Sequence, residues 1–135
     1  MTKEKLRQYK HLEKEILLLE EEIEKLQTSL LAPPKPDGLP KSNYAVDRTA
    51  NIIAKIVDLK TKLNESLEQL IFIRCEIEDA ITKLPADQRL LMRLRYIDGE
   101  KWEAIAVEMN YSWKQVHRIH SRALQGIAKE KDDTK

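Results

Sequence analysis

The sequence predicts an all-α chain, two long helices followed by a compact helical tail. Of its 135 residues 35% are charged and 5% aromatic, with three glycines, a composition suited to long solvated helices rather than sheets. Apolar residues recur at three- and four-residue intervals through most of the chain, the period of an α-helix. The stretch from 44 to 83 contains neither proline nor glycine.

The first helix is defined by Tyr9, Leu12, Ile16, Leu19, Ile23, Leu26 and Leu30, spaced alternately by three and four residues. A strict 3.5-residue repeat drifts around an ideal helix, so it implies a partner that follows the seam, either a later helix of the same chain or a second chain. The charges of KEKLRQYKHLEKE and EEEIEK lie mainly on the other faces. There, i,i+4 ion pairs add about 0.2 to 0.5 kcal/mol each.

APPKPDGLPKSN, residues 32–43, holds four prolines and an Asp-Gly step. Proline removes backbone donors, so the helix breaks here, and a stiff connector is the simplest role for the segment. Helical periodicity then resumes from Tyr44 to Lys83. Ile52, Ile56, Leu59, Leu63, Leu70, Ile73, Ile77 and Leu84 keep near one stripe, widened by Ile53, Val57, Leu67, Ile71 and Ile81. At 1.5 Å per residue this second helix is about 60 Å long. It either pairs with the first as an antiparallel hairpin or joins two chains in a homodimer. Residues 1–83 therefore form one expected region and 84–129 a second, with 130–135 as a disordered tail.

Leu84-Pro85 marks the boundary, because proline suits a first helical turn and restrains the residue before it. ADQRLLMRLRYI reads as a third helix, stopped at Asp98-Gly99 where glycine can take a left-handed cap. The next segment has the pattern of a helix-turn-helix. Trp102, Ile105, Ala106 and Met109 share one face, and Ala106 is small enough for crossed helices to approach. Asn110 tolerates the left-handed turn conformation. Ser112 and Gln115 have the spacing of a capping box. Val116, Ile119, Ala123 and Ile127 then point inward.

Net charge is +1 over the chain, yet from Ser112 to Lys129 there are four basic residues and no acid. Positive charge is concentrated where a nucleic acid would lie. At 100° per residue, Lys114, Arg118, Ser121 and Gln125 project opposite Val116 and Ala123, with Gln115 and Arg122 on one flank and His117 on the other. Such a face suits a major groove, its N-terminal residues nearest the base edges. Trp113 points between the two faces, and the pattern leaves open whether it packs or reaches the groove.

LPADQRLLMRLRYIDGEKWEAIAVEMNYSWKQVHRIHSRAL resembles region 4 of sigma-70-type factors, the module that reads the promoter −35 element. The shared features are its L-P start, its R-Y-I-D-G helix end, its I-A pair and its closing R-A-L. The W-E-A-I-A and Y-S-W-K-Q-V-H-R-I-H-S-R-A-L stretches look closer still to small phage and prophage transcriptional regulators of the ArpU/RinA type from Gram-positive bacteria. The likeness is specific over Leu84 to Ile127 and architectural before that. It implies a long helical hairpin or coiled coil followed by a C-terminal sigma-70 region 4-like helix-turn-helix domain. It also implies a recognition helix over 113–129, with Trp113, Lys114, His117 and Arg118 at base-reading positions and Gln115, Ser121 and Arg122 near phosphates. Trp113 stands where sigma factors commonly carry arginine, a departure that separates its specificity from theirs. No segment resembles a −10-reading region, so the expected role is an accessory regulator or partial sigma substitute.

Other chemistry has less support. His117 and His120 are three apart, a spacing that suits two ligands on one helix, but no further ligand set accompanies them and no metal or cofactor is expected. His120 is expected to pack or hydrogen-bond, His117 to donate to phosphate or base, and Trp102, Tyr96 and Tyr111 to pack. Cys75, the one cysteine, is expected to be a buried reduced thiol. No catalytic order, phosphate loop or carboxylate pair stands out, which argues against an enzyme. No apolar run approaches a membrane span, and a cytoplasmic location in a bacterial host follows. The leading expectation is a sequence-specific, late-gene-activator type of regulator that binds double-stranded DNA and contacts RNA polymerase. Its competitors are a small terminase subunit that recognises phage DNA for packaging, and a coiled-coil protein that grips polymerase without DNA.

Overall fold

The computed structural model describes residues 3–31 and 44–133, and among these all regular structure is helical. The elements are α1 (Lys3–Leu31), α2 (Tyr44–Thr82), α3 (Ala86–Met92), a π-helical turn (Arg93–Ile97), α4 (Trp102–Met109) and α5 (Trp113–Asp133). The proline-rich break expected at 32–43 lies outside the described residues.

The chain divides into two compact units, Leu12–Gln69 and Met1–His11 with Leu70–Lys135. The first part of α1 shares its unit with the last part of α2, and the rest of α1 shares the other with the first part of α2. That is the pairing of an antiparallel helical hairpin.

Within Leu12–Gln69, Leu12, Ile16, Ile23 and Ile56 are buried, while Leu19, Leu26, Leu30, Ile52, Leu59, Leu63 and Leu67 are half-buried. The seam read from the 3-4 spacing is therefore the packed one. The widening residues pack only in part: Leu67 is half-buried, but Ile53 and Val57 are exposed, because each follows a seam residue by about 100° and turns away from α1. Leu17 and Leu18 are exposed likewise.

The other unit has the larger core. Leu6 and Tyr9 of α1, Ile73, Ile77, Ala80 and Ile81 of α2, Leu84, and Leu91, Met92, Leu94, Ile105, Val116, Ile119, Ala123 and Ile127 are all buried. Lys5 pairs with Glu76, and Glu78 receives Arg74 at 3.5 Å and Arg93 at 3.9 Å. Exposed pairs of this kind contribute at most about 1 kcal/mol each, so apolar burial is the main source of cohesion.

These compact units group Leu70–Thr82 with the later helices, a different grouping from the expected regions 1–83 and 84–129. Ile77 and Ile81 have no solvent exposure, and cutting before Leu84 would strip them from the core they complete. The periodicity of α2 runs unbroken through Gln69, so nothing local marks where one unit gives way to the next. The expectation of a buried Cys75 is corrected: it is exposed, lying about 200° around the helix from Ile73. Ile71 is exposed as well, at 62%. At the far end α5 continues to Asp133, four residues past the expected end at Lys129, so the tail expected from 130 is helical through that point.

The third helix departs from expectation in a way that matters for the site. After Met92 the backbone widens into a π turn, closed by Asp98 N–H donating to Arg93 O at 2.9 Å. Gly99 then takes a φ of +72°, the left-handed turn that its lack of a Cβ permits.

Gly126 marks the close approach of α5 to the start of α3. A Cβ there would stand 3.1 Å from Cδ2 of Leu84, whose side chain is itself buried. Mid-helix glycine costs about 1 kcal/mol against alanine, and here it makes room for the crossing. Gly126→Leu should therefore destabilise the chain by about 1 to 3 kcal/mol through overpacking, measured as a lower urea midpoint. An unchanged midpoint would show that the crossing has slack.

Candidate nucleic-acid interface

The turn between α4 and α5 is built as its residue types require. Asn110 adopts φ 59°, ψ 42°, the left-handed region open to asparagine. Its N–H donates to Val107 O at 3.2 Å and that of Tyr111 to Ala106 O at 3.0 Å, the paired bonds of a Schellman ending. The next helix starts with the expected reciprocal cap. Ser112 N–H donates to Gln115 Oε1 at 3.0 Å, and Gln115 N–H to Ser112 Oγ at 3.3 Å. These bonds satisfy backbone donors that a helix start otherwise leaves open.

Burial of Val116, Ile119, Ala123 and Ile127 fixes the rotation of α5. Lys114, Gln115, Arg118, Ser121, Arg122 and Gln125 are consequently exposed, and Lys129 with them. Among the described residues no ion pair engages Lys114, Arg118 or Arg122, so none of the described residues neutralises their positive charge. Gln115 has its side-chain oxygen committed to the cap.

His117 and Trp113 occupy the flank that faces α4. Trp113 is 52% exposed, so its side chain does not enter the core. Its ring lies 4.3 Å from that of His117, centroid to centroid, and His117 lies 4.6 Å from Trp102. The guanidinium of Arg95 sits 4.4 Å above the Trp102 ring, within cation–π range. Four side chains, from the π turn, α4 and α5, thus form one continuous row of contacts, with the ring pairs tilted by 40° and 52°. Nε2 of His117 is buried and has no hydrogen-bond partner among the described residues, and the half-buried ring packs between Trp102 and Trp113.

His120 is half-buried, as expected. Its Nε2 lies 2.7 Å from Tyr96 Oη, and its ring meets Trp102 edge-on at 4.8 Å. Burial, followed by the nearby charges of His117, Lys3 and Arg95, holds its pKa at about 4, below the ordinary 6.5. Burial raises that of Tyr96. Both groups are neutral at pH 7, so the bond joins a phenol to an uncharged imidazole. The π turn presents the consecutive residues Arg95 and Tyr96 to this cluster, and Arg95 also donates to Glu100 O at 3.0 Å. The 113/117 spacing already places those two rings together on a helix. The participation of Arg95 and Trp102 carries no local signal.

The helix-turn-helix geometry, the capped turn and the outward basic face agree with one family. Residues 76–125 match the family described as Sigma-70, region 4. The matched stretch begins inside α2, eight residues before Leu84, where the likeness read from sequence starts. A helix-turn-helix domain of this family points to DNA binding in a regulatory role. Comparisons with curated proteins and with solved structures give no match. Among the described residues no group of three His, Cys, Asp or Glu side chains is placed to hold a metal ion, and no helix is long and apolar enough to cross a membrane.

A depressed histidine pKa has a definite sign in folding. Acid protonates His120 in the unfolded chain first, so its contribution to stability is full above pH 6.5 and is lost as pH falls toward 4. The thermal midpoint of the native chain should therefore fall more steeply over that window than that of His120→Gln, which keeps an acceptor for Tyr96 but does not titrate. Parallel curves would assign the acid sensitivity to another group.

Proposed function

We propose that the chain is a sequence-specific DNA-binding transcriptional regulator of the phage or prophage late-gene-activator type. It reads duplex DNA through α5 in the bacterial cytoplasm, without a cofactor and without catalysis. The observation that carries the reading is the exposed basic stripe Lys114, Arg118 and Arg122 on the face of α5 opposite Val116 and Ala123. A helix fixed by its buried side, with a basic outer side and its capped N-terminus free, is what a major groove accepts. The match of residues 76–125 to sigma-70 region 4 supports the same role and makes RNA polymerase a natural second partner. The N-terminal helices join two copies or present a surface to the polymerase. The exposed Leu17, Leu18, Ile53 and Val57 supply apolar area that a partner can cover.

Two substitutions separate base reading from phosphate contact. Arg118→Ala should weaken binding to the selected sequence by about 1 to 3 kcal/mol and to random duplex much less. Arg122→Ala should lower affinity for all duplexes and reduce the dependence of log K on log salt by about one. Equal losses on every sequence in both variants would remove α5 as the base-reading element.

A further inference from the structure

We propose that Trp113 is a specificity-determining residue that reads the methyl group of a thymine in the major groove, held ready by its tilted ring contact with His117. The inference rests on the DNA-binding reading above and deepens it.

Trp113 is the first residue of α5, in the turn from which recognition helices reach base edges. Leaving an indole 52% exposed is unfavourable in water unless something covers it. The exposure is not a sign of looseness, because the ring lies against His117, itself set on Trp102 under the Arg95 guanidinium. Nε2 of His117 has no hydrogen-bond partner among the described residues, and the contacts of this imidazole are with the Trp102 and Trp113 rings. A side chain ordered before binding loses little entropy on binding.

What it can recognise follows from its chemistry. An indole has one N–H donor, no acceptor and no charge, so it offers phosphate at most a single neutral bond and cannot match a donor–acceptor pattern on a base edge. Its strength is apolar area. Among the base edges in the major groove, the thymine C5 methyl is the apolar feature. The neighbouring Lys114 and Arg118 are exposed and supply the polar and ionic contacts that bring the groove to it.

A duplex enriched by the full-length wild-type chain from a random-sequence pool serves as the probe, with each thymine replaced in turn by deoxyuracil, which lacks only the methyl. Replacement at one position should weaken binding about fourfold, equivalent to roughly 0.8 kcal/mol for one buried methyl-sized group. In Trp113→Ala that replacement should become neutral, because the methyl has lost its contact. His117→Ala should lose most of the methyl effect, whereas His117→Phe should keep it, since ring contact is what positions the indole. If every thymine tolerates the replacement, or if the penalty persists in Trp113→Ala, the proposal fails while DNA binding stands. If the chain enriches no sequence and shows no salt-dependent binding to any duplex, the DNA-binding reading falls and this one with it.

Discussion

The inward stripe of α5 sets the terms for the rest of the domain. Val116, Ala123 and Ile127 have at most 2% exposure, and a helix pinned through side chains one and two turns apart cannot rotate without opening a cavity. Gly126 brings the same helix close to Leu84. Rotation and distance are therefore both determined from the buried side. The outward display of Lys114, Arg118 and Arg122 is a geometric consequence of that packing rather than of any preference of the basic residues themselves.

The aromatic cluster supplies what apolar packing alone does not, a defined position for side chains at the rim. Tyr96, Trp102, His117 and His120 are all half-buried, where a simple hydrophobic contact would leave rotamer freedom. The Tyr96–His120 bond and the Arg95 guanidinium over Trp102 restrict that freedom. Burial keeps the His120 imidazole neutral, so the same burial that orders the rim makes it sensitive to acid. Arginine beside a buried histidine opposes its protonation, and the two effects reinforce one another.

What could be read from the sequence was what neighbours in the chain decide. The seam of α1, the left-handed Asn110, the cap between Ser112 and Gln115 and the inward Val116, Ile119, Ala123 and Ile127 all depend on residues within a few positions of each other. The outward basic stripe followed from the same helical period. Local pattern failed where a third element intervenes. Cys75 belongs to an apolar helix but faces away from its core, and the complete burial of Ile77 and Ile81 depends on elements distant in the chain. His117 drew attention as a polar residue on a recognition helix, yet Trp102, fifteen positions earlier, decides its surroundings. The small size of Gly126 has its reason in Leu84 and not in its own helix.

The π turn ties this site to chain length as well as to composition. Such a turn is an α-helix that holds one residue more than its regular hydrogen-bond ladder accommodates. Removing one residue between Arg93 and Ile97 would let the ladder close as an ordinary α-helix and would swing the residues on one side of the gap by about 100° relative to the other. Leu94 would then compete with its neighbours for the core, and Arg95 and Tyr96 would leave Trp102 and His120. Substitutions along this segment degrade the cluster by degrees, but a one-residue deletion is all or nothing. For sequences with the same helix-turn-helix, the count of residues from Met92 to Gly99 is thus a better marker of a shared rim than the identity of any single aromatic in it.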